Sequence, residues 1–279
     1  MAFFAKNKRV VPGFRVTLSI TLFYLALMVV IPLASLVFKT STLSWDQLWH
    51  TISSPRVLAA CRLSVGAALA AAAVNAVFGT LLAWVLVRYR FPGRSLVDAF
   101  VDLPVALPTA VAGLALAAVY SENGFIGKIA HSFGWQIAFT PIGVFIALVF
   151  VGIPFLVRTV QPVLADLEKG LEEAGNTLGA SSWQNFRFVI LPQLLPAILT
   201  GAALAFGRAV GEYGSVIFIA GNVPMVSEIA PLLIISKLEQ YDYAGATAIA
   251  LLLLVLSIVL LGVINFLQSR LQRHRLSGG

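Results

Sequence analysis

Apolar residues come in runs of about twenty, and the one long polar interval lies between Leu164 and Pro192. The runs extend from about Val16 to Phe38, Leu63 to Val87, near Leu96 into the Ala110s, Ile142 to Val160, Ala197 to Gly221 and Ala244 to Leu267. None shows the period-two alternation of barrel strands. Each therefore predicts a helix, which satisfies its own backbone in lipid. Six such spans place both termini on one side of a bilayer. The first run is longer than a signal-peptide core and no small-x-small cleavage pattern follows it, so it reads as a retained span.

The irregularities in this pattern carry information. Pro104 and Pro108 each delete a helical hydrogen bond and Gly113 follows, so the third span should be bent or locally opened, as tolerated where a helix faces protein or a watery cavity. Pro154 interrupts the fourth span. From Leu43 to Ala60, Trp45, Leu48, Trp49 and Ile52 share one helical face, the pattern of a helix lying along the bilayer with indoles at headgroup depth. Ser121 to Pro141 reads as a loop.

In the polar interval, Leu164, Leu167, Leu171, Ala174 and Leu178 recur at steps of three and four, predicting one face of a single helix. Gly179 is placed to stop that helix, and Ser181 with Gln184 forms a capping box for a second. Pro192 and Pro196 are expected to break the chain before the fifth span. Two short helices turning at a glycine make a knob. Its carboxylates Asp166, Glu168, Glu172 and Glu173 oppose anionic lipid, which favours docking on another protein.

Composition sharpens this reading. With 59% hydrophobic and 11% charged residues in 279, the chain is an integral membrane protein. The net charge of +7 is distributed as the positive-inside rule requires. Lys6, Lys8, Arg9, Arg15, Arg88, Arg90, Arg94, Arg158, Lys169, Arg187, Arg270, Arg273 and Arg275 fall on one side, that of the termini and the polar interval. Only Lys39, Arg56, Arg62, Lys128 and Lys237 fall on the other. The basic balance thus needs no nucleic acid. A single cysteine, Cys61, and scattered His50, His131 and His274 give no metal cluster. No phosphate loop is present and no enzyme site assembles, so no cofactor is expected and the energy must come from a partner or an ion gradient. No internal repeat points to two fused halves.

The runs Arg88–Ala117 and Gly207–Asn222 resemble the T-type permease subunit of bacterial sulfate/thiosulfate ABC importers. The polar interval, over about 162–196, is similar to the EAA loop of binding-protein-dependent permeases. Glu173 and Ala174 match, Gly175 stands where a second alanine is usual and should loosen the docking helix, Gly179 matches, Val189 replaces isoleucine, and Leu191–Pro192 close the motif. The resemblance implies an all-α integral membrane protein with six transmembrane helices in the type I ABC importer permease fold. Its parts would be an N-terminal segment with the first span and an external amphipathic stretch (1–61), a permease domain (62–267) and a basic tail (268–279).

The same resemblance implies a bacterial inner membrane with cytoplasmic termini, and as partners a homologous W-type permease, two ABC ATPases and a periplasmic or lipid-anchored sulfate/thiosulfate-binding protein. Glu172, Glu173, Ala174, Gly175, Gly179, Val189, Leu191 and Pro192 would form the coupling loop. A permease for molybdate or another oxyanion is one alternative. A gradient-driven carrier is another, and its mark would be an ionisable relay buried in several spans.

Candidate pathway residues are Pro104, Pro108, Thr109, Arg208 and Glu212. In the fifth span Ala203, Gly207, Gly211 and Ser215 form a small-residue stripe, and Arg208 and Glu212 are one turn apart. The pair reads either as a self-neutralising bridge at a subunit interface or as a local positive potential guiding a divalent anion, with Glu212 cancelling much of that attraction. Asp98 and Asp102 are expected at the cytoplasmic interface beside Arg88, Arg90 and Arg94.

Overall fold

The computed structural model describes residues 13–276, and every regular element among them is helical. α1 (Phe14–Leu25) and α2 (Ile31–Thr40) form the first span, and α3 (Trp45–Ile52) follows. The second span is α4 (Pro55–Arg88), and α5 (Arg94–Ala106) and α6 (Thr109–Tyr120) come next. α7 (Phe125–Ser132), α8 (Pro141–Ala165), α9 (Lys169–Thr177), α10 (Ser182–Asn185) and α11 (Leu191–Val210) succeed them. α12 (Gly214–Ala220), α13 (Ala230–Glu239) and α14 (Tyr243–Leu276) end the described chain. Five unbroken segments are long and apolar enough to cross a membrane, and α5 with α6, taken as one broken span, makes six. Lys6, Lys8 and Arg9 lie outside the described residues, and the α14 backbone remains helical well past Leu267, into the tail.

The core is built where α4, α8 and α11 pack together. Two apolar clusters are stacked along them. One joins Ala68, Ala72, Val144, Leu148, Phe206 and Val210 near the α7 end of α8. The other joins Leu86, Leu156, Val160, Leu164, Ile190 and Leu194 near its α9 end. Between them the buried Asn75 amide on α4 donates to the Val149 carbonyl on α8 at 3.1 Å. A polar group in lipid must find such a partner across the helix interface.

Prolines act here in two ways. The third span is broken as expected, with α5 and α6 at 114° to each other across Leu107–Pro108. The expected break at Pro192 and Pro196 does not occur. α10 runs on through a π turn at Phe186–Ile190 into α11, giving one helical segment over Ser182–Val210. The first span has the same device, a π turn at Ala26–Val30 ending two residues before Pro32. A proline lacks an N–H and crowds the carbonyl four residues back, and a π turn widens the helix at that point. The stretch Ser121–Pro141, expected as a loop, carries α7.

Candidate functional site: a coupling knob and two broken spans

α8 stops at Ala165, and the chain turns over Asp166–Glu168 before α9 begins. The expected single helix from Leu164 to Leu178 is therefore divided. Leu164 is fully buried and Leu167 packs beside it on the bundle core, whereas Leu171 and Ala174 are exposed and Leu178 is 88% exposed. The turn re-aims the apolar stripe. Half of it holds the knob to the bundle and half faces outward, joined by exposed Trp183 and Phe188. A cleft of about 440 Å³ lies there, lined by Gly175, Leu178, Gly179, Asn185, Phe188 and Val189 among others.

The knob is rigid. Gly179 has φ +83°, its N–H donates to the Asn176 carbonyl at 3.0 Å, and the Ala180 N–H donates to the Gly175 carbonyl at 3.0 Å. This left-handed closure ends α9 as anticipated. Ser181 and Gln184 form the expected capping box at 3.3 and 2.7 Å. Gly175 does the opposite of loosening the helix. A Cβ there would lie 2.0 Å from Asn185 Oδ1, so the missing side chain lets α10 press against α9. Asn185, itself buried, donates to the Glu172 carbonyl at 3.0 Å and to Asn176 Oδ1 at 2.8 Å.

Side chains fasten the knob to the second span. Glu172 pairs with Arg88 at the end of α4, and the Arg88 guanidinium stands 5.5 Å from the centroid of the Trp84 ring. Phe186 meets Trp84 edge-on and stacks on Trp183, both at 5.7 Å. Glu173 is exposed on the outer side of α9, and Leu191 and Pro192 are half-buried where α11 begins. Of the eight residues assigned to the loop motif, Gly175, Gly179 and Val189 line the cleft, Glu173 and Ala174 are exposed, and Glu172 anchors.

In the membrane region, Pro104 is buried inside α5 and Pro108 precedes α6. Each half of the broken span is held by a different neighbour. Arg158 on α8 uses all five of its N–H donors on α5 and Gln161. They reach Asp102 at 2.8 and 2.6 Å, Asp98 Oδ1 at 2.7 Å, the Asp98 carbonyl at 2.9 Å and Gln161 at 2.6 Å. Asp98 and Asp102 thus bind Arg158, and of the arginines expected beside them Arg94, one turn before Asp98 on α5, acts on Asp98 through its charge. α6 instead packs on α12. A Cβ on Gly113 would lie 2.4 Å from the Ser215 carbonyl oxygen, and one on Gly214 would lie 2.1 Å from Thr109 Oγ1.

The fifth apolar run, expected from Ala197 to Gly221, is divided after the unbroken segment ends. α11 ends at Val210 and α12 restarts at Gly214, so the four-residue stripe does not lie on one helix: Ala203 and Ser215 are buried, whereas Gly207 and Gly211 are exposed. Arg208 and Glu212 meet across this break at 2.6 Å, with the Glu212 side chain only 1% exposed. Glu212 Oε1 also accepts from the Ser215 N–H and Oγ, each at 2.9 Å. Its carboxylate therefore neutralises Arg208 and caps α12 together. Thr109 and Glu212 come to the same junction; Pro104 belongs to the Arg158 side.

Sequence reading missed two further ties. Arg56 at the start of α4 binds the buried Glu228 through both carboxylate oxygens at 2.7 Å, and Ser64 Oγ accepts from the Ala230 N–H at 2.7 Å. Both fix the segment before α13 on α4. An acid and a base in a chain so poor in charge were the available signal, but a separation of 172 residues hid the pairing.

Residues 75–273 match the family described as binding-protein-dependent transport system inner membrane component. The chain is 49% identical over 268 residues to the sulfate transport system permease protein CysT of Salmonella typhimurium, covering 96% of this chain and 97% of that protein. It is 48% identical to the Escherichia coli protein of the same name, covering 98% of each. The CysT protein of Synechococcus elongatus is 53% identical over 90% of each chain. The fold is similar to a bacterial alginate ABC transporter solved with an alginate pentasaccharide-bound periplasmic protein, with TM-score 0.74, 19% identity and coverage of 92% of this chain and 94% of that one.

Proposed function

We infer that this chain, which belongs to the family of binding-protein-dependent transport system inner membrane components, is the membrane-spanning permease subunit of an ATP-driven ABC importer for sulfate. The observation that carries this is near-complete collinearity, at about half identity, with relatives named as sulfate transport permeases. The chain is a transport subunit and not an enzyme.

The sign of the charge distribution supports a cytoplasmic position for both termini and for the α9–α10 knob. The knob's exposed Leu178, Trp183 and Phe188 and its cleft then present an apolar surface to an ATPase subunit. Closure of two ATPases would pull on α9. The Arg88–Glu172 pair and the unbroken helix from Ser182 to Val210 carry that movement into the second and fifth spans. A homologous W-type permease supplies the other half of the pathway, and a periplasmic or lipid-anchored binding protein delivers sulfate or thiosulfate. We take 62–267 as the permease unit. Arg208 and Glu212 serve as a neutral bridge that holds the break in the fifth apolar run, because both oxygens of Glu212 are engaged.

The test is uptake of labelled sulfate in cells lacking this chain and in cells restored with it, with thiosulfate and molybdate as competitors and with ATP or the ion gradient depleted in turn. Restored uptake that needs ATP and yields to sulfate and thiosulfate is expected. Uptake that survives ATP loss but stops with the gradient would overturn the ABC reading, and preferential inhibition by molybdate would overturn the substrate.

A further inference from the structure

α7 was expected as loop, and nothing in the coupling mechanism uses it. Its residues divide sharply. Phe125, Ile126, Ile129 and the following Phe133 lie along one flank at helical spacing, and they are 80%, 36%, 52% and 77% exposed. Lys128 and His131, three apart, share the opposite flank. The side between the flanks is pressed on the end of α6, where a Cβ on Gly127 would lie 1.7 Å from the Ser121 carbonyl oxygen. The helix therefore sits at the end of the bundle opposite α9, locked to α6 by backbone contact.

We propose that α7 is an interfacial anchor whose occupant is the lipid bilayer, with the Phe125–Ile129–Phe133 flank sunk among acyl chains at headgroup depth and Lys128 turned to anionic headgroups. Three observations select lipid. α7 packs on the end of α6, and α6 itself exposes Val111, Leu114 and Val119, so both elements present apolar side chains outward. Trp135 follows, 67% exposed, an indole of the kind that collects at headgroup depth. From Gly124 to Thr140 the segment holds one lysine, one histidine and no acid, which complements anionic lipid. A soluble partner that cycles on and off would leave this flank bare to water in each cycle, whereas lipid covers it permanently. Because α6 grips α12 across Gly113, the anchor would hold the α6–α12 half of the broken spans still while the other half moves.

This inference rests on the membrane architecture and not on the substrate, so it is tested without transport. Single cysteines are placed at Ile129 or at His131 of the assembled importer and labelled with bimane; Cys61 is buried and stays unlabelled. In nanodiscs of phosphatidylethanolamine and phosphatidylglycerol, brominated lipid should quench the label at 129 several-fold more than at 131, and iodide should quench in the reverse order. Phe133→Cys, at a well-exposed site, repeats the measurement where Ile129→Cys disturbs assembly. Equal iodide access at both positions would overturn the proposal. Protection of 129 from both quenchers would assign the flank to another subunit, and protection that appears only on adding the binding protein would assign it to that protein; either result overturns the proposal.

Discussion

Gly175 and Asn185 show how one absent side chain sets the stiffness of the knob. Reading glycine as slack follows from its backbone freedom, but here the missing Cβ makes room for a buried amide that bonds across α9. Gly175→Ala should therefore destabilise the α9–α10 packing by about 1–3 kcal/mol and lower substrate-stimulated ATPase activity of the assembled importer, with partial recovery in Gly175→Ala/Asn185→Ser. Undiminished coupling in the single variant would show that Asn185 yields freely. Asp242 offers a pH test. It caps α14, and its bond from Lys237 Nζ at 2.9 Å, with the Gly245 N–H, holds its carboxyl below the usual range. A lowered folded value means that its contribution is present above the unfolded value of about 3.9 and is lost as pH falls through the folded one. Asp242→Asn should lower stability at neutral pH, where that contribution is fully present, and flatten the acid limb of the complex's unfolding curve below about pH 4, as followed by thermal melts across pH.

Among elements, the broken third span is the one whose two halves answer to different neighbours. Arg158 binds α5 to α8 with four of its five donors, and Gly113 binds α6 to α12 by backbone approach. Gly113→Leu would force a side chain into the Ser215 backbone, which cannot swing aside as a side-chain tip can. The expected cost reaches the upper part of about 1–3 kcal/mol, read as a lower melting temperature of the purified complex. Arg158→Gln would free α5 and leave two carboxylates without their partner. It should impair uptake more than insertion, so surface labelling at normal level with reduced transport is the expected pair of results. The prolines of the third span and those near the fifth teach separate lessons: only Pro108 lies at a break, while the π turn ahead of Pro192 lets that helix continue and act as a rigid strut.

At the scale of the whole molecule, the knob is continuous with the bundle through α11 and cross-tied to it through Arg88, so force applied at α9 reaches two spans at once. Gly179→Pro, which forbids φ +83°, and Glu173→Lys, which reverses an exposed charge, should each leave the protein inserted and abolish ATP-driven uptake. Normal uptake in both would remove the knob from the mechanism. The spans, the surface character of the knob, the Gly179 stop and its capping box were legible in the linear chain, because each depends on periodicity, length or a local hydrogen-bond pattern within a few residues. The resemblance carried by Glu173 to Pro192 likewise needed only spacing. What the chain alone did not determine was which partner each lone charge would take. Arg158 chose Asp98 and Asp102, Arg56 chose Glu228, and Arg88 chose Glu172, over separations of 56 to 172 residues. Nor did it determine that one apolar stripe would be split between core and surface. Such pairings depend on how helices cross, and in lipid that is decided by close backbone approach at positions such as Gly113, a property of two surfaces meeting that no single stretch of sequence contains.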